Sequence, residues 1–302
     1  MTDIPFVRDM DFEYGACASV SPLIRRVVAN NPSPFTYMGT GTYIIGTGEV
    51  AVIDPGPLLP AHVEAILAAL APDEKVSHIF ITHTHLDHSP AAAPLQARTG
   101  AVIYGKPLPS HTTEGDTMEE DIDDTFTPDH IIEHGQIITH ADWTLEALHT
   151  PGHLANHICY ALHEEKVLFT GDHVMGWATS VVIPPDGNMR DYMHSLDLLL
   201  TRDDEIYLPT HGPAIENPKA FVQAYINHRK SREAQIIAQL KVGNTQIKAI
   251  VKTLYADTDK RLHGAAALSV FAHIEDLVAR DIVCVQDATP ATLDASYRLA
   301  SA

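Results

Sequence analysis

The chain has 302 residues, 45% of them apolar and 20% charged, with a mean hydropathy of −0.04, the composition of a globular protein with room for one large catalytic domain and a small appendage. No apolar run reaches the ~18 residues of a membrane span, and the start Met1-Thr2-Asp3-Ile4-Pro5 lacks the basic and apolar regions of a secretory signal. Thirty-nine acids against 20 bases give a net charge of −19, which works against polyanionic partners, while three scattered cysteines, Cys17, Cys159 and Cys284, form no disulfide framework and point to a reducing cytoplasm.

The first 32 residues read as a lead-in with one short helix over Ser21–Asn30, closed by Asn31-Pro32-Ser33-Pro34. Strand text follows in Phe35–Met38, Thr42–Ile45 and Val50–Ile53, with Gly46-Thr47-Gly48-Glu49 as the hairpin turn between the last two. Val63, Ile66, Leu67 and Leu70 recur at helical spacing and predict a helix over Leu59–Ala71, stopped by Pro72. Ile79-Phe80-Ile81 is a short strand that runs into a histidine cluster. A second helix over Pro90–Thr99 ends at Gly100, and Ala101–Tyr104 is the next strand. Glu114–Asp129 holds eight acids and no Lys or Arg, which reads as a solvated, mobile loop. Strands return in Gln136–Thr139, Trp143–Leu148, His157–Leu162 and Lys166–Thr170. A helix over Arg190–Leu200, a strand at Ile206–Leu208 and a long helix over Lys219–Leu240 complete this part. The order predicts two packed sheets with helices outside.

Past Lys241 the text changes. Gly243-Asn244-Thr245 caps a helix with Ile247, Ile250, Val251 and Leu254 on one face, and a second helix over His263–Ala279 leads to the strand Ile282–Val285. Helices ending in a short strand predict a small winged-helix module, hence a catalytic domain over 1–240 and a winged-helix-like domain over 241–302. The tail holds seven bases and seven acids, so it offers no electrostatic footprint for DNA, and packing against the catalytic domain is its expected role.

The chemistry is concentrated in His83-Thr84-His85-Leu86-Asp87-His88. At a strand end alternate side chains share a face, so His83 and His85 point the same way, and the following turn can bring Asp87 and His88 beside them. Imidazoles and a carboxylate are donors that zinc accepts. Four groups are too many for one catalytic zinc with an open position, but suit two adjacent ions if further ligands arrive. Three later segments follow apolar strands and open into turns: Thr150-Pro151-Gly152-His153, Thr170-Gly171-Asp172-His173 and Leu208-Pro209-Thr210-His211-Gly212.

On these motifs the chain closely resembles the metallo-β-lactamase superfamily, in which the first cluster is followed by a lone His, a lone Asp and a lone His. The resemblance implies an α/β fold, the αββα sandwich, with two Zn(2+) ions per chain, manganese or iron being alternatives. It places His83, His85 and His153 on one ion, Asp87, His88 and His211 on the other, and Asp172 between them. Asp54 in Val52-Ile53-Asp54-Pro55-Gly56 matches a family position that supports the site from behind. Gly39-Thr40-Gly41-Thr42-Tyr43, Tyr192-Met193-His194-Ser195-Leu196 and Tyr225-Ile226-Asn227-His228-Arg229 are similar to the β-lactamase-like protein 2 branch. That branch ends in a winged helix and usually has Asn where Gly41 stands.

The implied chemistry is hydrolysis by a metal-bridging hydroxide, with Asp87 orienting it and passing a proton to the leaving group; no Gly-x-Ser-x-Gly elbow suggests another nucleophile. His157, His173, Trp177 and Tyr192 stand near the expected ligands, and each reads either as a packed residue or as pocket lining. The leading function is hydrolysis of a small acyl substrate: a thioester, ester, lactone or lactam. The alternative is a zinc-dependent endoribonuclease on single-stranded RNA, opposed by the net charge, and the third reading is a metal- or nucleic-acid-binding module without catalysis. No membrane partner is expected, and the sequence leaves room for a homodimer.

Overall fold

The computed structural model describes residues 4–108, 122–257, 259–286 and 290–300. Seven strands form a first sheet in chain order: β1 (Cys17–Ser19), β2 (Ile24–Val28), β3 (Gly41–Ile45), β4 (Glu49–Ile53), β5 (Lys75–Phe80), β6 (Val102–Gly105) and β7 (His130–Ile131). The second sheet holds β8 (Ile137–His140), β9 (Trp143–His149), β10 (Ile158–Leu162), β11 (Val167–Gly171) and β12 (Ile206–Pro209), in the order β12-β11-β10-β9-β8. Helices α1 (Pro60–Ala68) and α2 (Ala92–Thr99) connect the parallel strands β4, β5 and β6. Helix α3 (Met189–Leu200) joins the parallel pair β11–β12, and α4 (Pro218–Lys241) follows.

Strand alternation decides the layers, because successive side chains leave opposite faces. Tyr43, Ile45, Ile53 and Phe80 of the first sheet meet Trp143, Leu145, Tyr160 and Phe169 of the second in a central core. The intervening residues Ile44, Val52 and Ile79 point outward and pack with Val63, Ile66 and Leu95. On the far side, Cys159, Leu168 and Tyr207 pack against Tyr192 and Leu196 of α3 and against Val222 and Tyr225 of α4. Strands β3, β10 and β11 are buried along their whole length, as covered faces require. The layers are helix, sheet, sheet, helix, as the resemblance implied.

The tail comprises α5 (Ile247–Leu254), α6 (His263–Ala279) and the hairpin of β13 (Val283–Val285) with β14 (Tyr297–Leu299). Its core includes Ile236 and Leu240 from the end of α4. Arg190 of α3 pairs with Asp276 of α6 at 2.9 Å. No described helix is long and apolar enough to cross a membrane.

Three sequence expectations fail, the third in part. Residues 21–30 are not helical: Ile24–Val28 is β2, paired with β1 and β3, because its β-branched residues fill both faces of a sheet. Residues 35–38 are a turn, in which the Ser33 hydroxyl accepts from the amides of Phe35 and Thr36. Of the acidic segment, residues 114–121 lie outside the described residues. Residues 122–129 are not a free loop: Ile122 bridges to His85, and the Asp123 amide donates to the Thr84 carbonyl at 2.7 Å.

Candidate metal centre

Strands β4, β5, β9, β11 and β12 all deliver their C-terminal ends to one edge of the sandwich. Cross-sheet bonds fix that edge: Ile158 N to Thr82 O at 2.8 Å, Tyr160 OH to Ile81 O at 2.8 Å and Tyr43 OH to Pro209 O at 2.7 Å. From it project Asp54, His83, His85, Asp87, His88, His153, Asp172 and His211, every one buried. Ligand atoms of His83, His85 and His153 lie within 4.8 Å of one another, as do those of His83, His88 and Asp172, and those of Asp87, His88 and His211. The seven residues singled out from the sequence thus form one chain of three overlapping groups.

The outer hydrogen bonds decide which atoms face inward. His153 Nδ1 donates to Val181 O at 2.7 Å, His211 Nδ1 to Gly39 O at 3.2 Å, and His88 Nδ1 to the Asp54 carboxylate at 2.8 Å. In a neutral imidazole the other nitrogen then carries a lone pair. His83 Nε2 and His153 Nε2 stand 2.9 and 3.2 Å from His85 Nδ1. His211 Nε2 stands 2.9 Å from Asp87 Oδ2, and His88 Nε2 3.3 Å from the same oxygen and 3.7 Å from Asp172 Oδ1. His88 Nε2, His211 Nε2, Asp87 Oδ1 and Asp172 Oδ1 are buried without a hydrogen bond. Electron-rich atoms facing each other in a dry site need protons or a cation between them.

Electrostatics divides the cluster in two. Burial, helped by neighbouring imidazoles, holds His83 and His85 well below the ordinary imidazole value and lowers His153. For His88 burial also opposes charge, but the carboxylates of Asp87, Asp54 and Asp172 outweigh it and raise its pKa well above the usual range. His211 is raised for the same reason by Asp172 and Asp87, and Asp87 is held well below the carboxylate range by His88 and His211 despite burial. One half is a neutral three-nitrogen cup; the other attracts positive charge. Such a donor set binds a divalent metal.

The weaker candidates separate. Asp54 accepts from Thr82 N at 2.8 Å, Thr82 Oγ1 at 2.7 Å and Thr210 Oγ1 at 3.0 Å as well as from His88. His157 Nε2 accepts from the Asp172 amide at 3.2 Å and its Nδ1 meets Thr150 Oγ1 at 2.9 Å, so this residue holds the Asp172 backbone. His173 belongs to none of the three groups; burial pushes it down to about 3, and its ring packs 4.7 Å from that of Tyr192. Tyr192 is a core residue whose hydroxyl donates to His173 O. Trp177 stacks on Tyr37 at 4.6 Å and packs over Gly212. Sequence reading missed Thr40, whose hydroxyl donates to Asp87 Oδ2 at 3.2 Å, and the roles of Thr82, Thr150 and Thr210. The signal was there, since a threonine stands at or just before each ligand segment.

Residues 37–211 match the model of the metallo-beta-lactamase superfamily, and residues 247–289 that of the beta-lactamase associated winged helix domain. The chain is 31% identical over 269 residues to a beta-lactamase-like protein 2 homolog of Caenorhabditis elegans, covering 87% of each protein. It is 33% identical over 226 residues to an atrochrysone carboxyl ACP thioesterase of Aspergillus chevalieri, covering 74% of this chain and 67% of that protein. Among solved structures, a beta-lactamase domain protein from Burkholderia ambifaria matches the fold with a TM-score of 0.77 at 17% identity, over 97% of this chain and 96% of that one. By its matched sequence and its layered fold alike, the chain belongs to the metallo-beta-lactamase superfamily of hydrolases, in a form that carries the associated winged helix.

Proposed function

We propose that the chain is a two-zinc hydrolase of small acyl substrates, in which His83, His85 and His153 hold one ion, Asp87, His88 and His211 the other, and Asp172 lies between them. The observation that carries this reading is the set of buried, unpartnered atoms on His88, His211, Asp87 and Asp172. Bound there, a pair of divalent ions supplies Lewis acidity and brings the pKa of water towards neutrality. Zinc suits the imidazole and carboxylate donors, with manganese or iron as alternatives.

The chain's own residues do the rest. Asp54 fixes the tautomer of His88, and His157 fixes the backbone of Asp172. Thr40 takes Oδ2 of Asp87 and leaves Oδ1 free to orient the attacking water and relay its proton to the leaving group. Cys159 is not the nucleophile: it is buried, and burial pushes its thiol up to about 12. Thioesters lead the substrate classes because a similar fungal protein is named as a thioesterase; esters, lactones and lactams share the scissile carbonyl. The same proposal keeps a catalytic domain over 1–240 and a winged-helix-like domain over 241–302, and places the chain in the cytoplasm with Cys17, Cys159 and Cys284 reduced.

A panel of thioesters, lactones, lactams and single-stranded RNA, run with the zinc-loaded protein and with Asp87→Ala, tests the reading. Acyl hydrolysis that Asp87→Ala lowers at least about 100-fold is expected, the usual contribution of acid–base catalysis. RNA cleavage that falls steeply with salt, without acyl hydrolysis, would replace it by the endoribonuclease reading.

A further inference from the structure

The surroundings of Gly41, at the start of β3, leave no room for a side chain. Its backbone is one that any residue adopts, so the demand for glycine is spatial. In the β2–β3 ladder Arg26 lies opposite Tyr43, so Arg26 and Gly41 share a face of the sheet. A Cβ on Gly41 would meet Arg26 Nε at 2.2 Å, Nη2 at 2.4 Å and Cζ at 2.7 Å. The guanidinium occupies the space a side chain would fill.

From that position Arg26 Nη1 donates to Gly212 O at 2.9 Å and Nη2 to Thr210 O at 3.1 Å. These are the carbonyls on either side of His211. The rest of the turn is held from the same two strands and the loop between them: Gly41 N donates to Thr210 O at 2.8 Å, Tyr43 OH to Pro209 O at 2.7 Å, and Gly39 O accepts from His211 Nδ1. Tyr43 also carries the guanidinium on its ring, with Cζ 5.3 Å from the centroid. Among the described residues the other polar contact of Arg26 is Met10 Sδ, and no carboxylate pairs with it. A planar fork spent on two neutral carbonyls sets a backbone geometry rather than neutralising a charge.

We propose that Arg26 is a positioning residue that aims His211 Nε2 into the metal group through the two flanking carbonyls, and that position 41 is glycine so that the guanidinium can reach them. The proposal rests on His211 being a metal ligand, as read above. It makes Arg26 and Gly41 one device, so damage to either has one outcome.

The test is a double-mutant cycle of Arg26→Ala and Gly41→Ala, with zinc as the probe. Chelator competition gives the number and affinity of bound ions, and thermal unfolding of the metal-free chain gives stability. Each single variant should weaken one of two zincs about 10–100-fold, the range for a removed supporting contact, and leave the other unchanged. The double variant should lose no more than the worse single one, and Gly41→Asn should be tolerated once Arg26 is Ala. Arg26→Lys, which keeps the charge but cannot span both carbonyls, should behave as Arg26→Ala. If Arg26→Ala fails to fold, Gly41→Ala alone carries the zinc measurement. Additive losses in the cycle, or wild-type affinity for both zincs in each single variant, would overturn the proposal. A wild-type chain that binds no zinc would overturn the metal reading instead, and the unfolding cycle would still judge the coupling.

Discussion

Asp54 takes four hydrogen bonds on one buried carboxylate, two from Thr82 just past β5, one from Thr210 just past β12 and one from His88, and its backbone sits at a φ of 48°. A non-glycine residue in that region is strained, and it persists where the surroundings over-determine it. Asp54→Asn keeps the shape but replaces an acceptor oxygen with a donor nitrogen, leaving His88 or Thr82 without its partner. The expected result is a 10–100-fold loss of metal affinity, about the range for outer-shell ligand partners, read by chelator competition; unchanged affinity would refute the role. In the sequence, Asp54-Pro55-Gly56 reads as an ordinary turn, and only family resemblance singled Asp54 out. His83 to His88 needed no such help, because ligand types crowded into six positions carry their own signal. Thr40 and Arg26 were invisible for another reason: their partners lie 47 and 184 residues away, and no local pattern encodes such contacts.

The turn after β9 must bring His153 beside His85, and it passes under α3 to do so. Gly152 has a φ of 138°, and a Cβ there would lie 2.3 Å from Tyr192 Cα and 2.4 Å from its nitrogen. Gly152→Ala therefore strains the backbone and pushes on a helix at once, costing about 3 kcal/mol in urea unfolding; a loss within experimental error would show that the turn relaxes. Helix α6 carries a different liability. His273 is buried with neither ring nitrogen bonded, and burial together with Arg229, Arg232, His228 and Arg280 pushes its pKa from 6.5 down to about 3. The unfolded chain takes up a proton that the folded chain refuses, so stability rises with pH between about 3 and 6.5 and levels off above. His273→Gln should remove up to about 1.4 kcal/mol per pH unit from that slope, measured by unfolding at several pH values in the window. Equal slopes in wild type and variant would exclude it. Elements with a long period, such as α3 and α4, were legible in the sequence. The stretch Ser21–Asn30, closed by Asn31-Pro32, reads as a short helix, while pairing on both sides settles Ile24–Val28 as a strand. Strands β1, β7 and β14 were missed because two or three residues hold no period.

Across the whole molecule, the proposed ligands come from turns after β5, β9, β11 and β12, so metal binding ties both sheets together at one edge. Metal removal should lower stability by about 2.7 kcal/mol when free metal stands at roughly 100 times its Kd. For a chain of this size that is a drop of roughly 4 °C in the thermal midpoint for each ion removed. A midpoint indifferent to chelator would mean that the edge holds without its ions. The net charge of −19 sits entirely before residue 241, which favours a neutral or cationic substrate approach over a nucleic acid. Helix α4, finally, belongs to two cores: Phe221, Val222 and Tyr225 are buried against the second sheet, and Ile236 and Leu240 among the tail helices. Anyone recombining these proteins should therefore cut upstream of Ile236, since a graft made at Lys241 would separate the winged helix from two of its own core side chains.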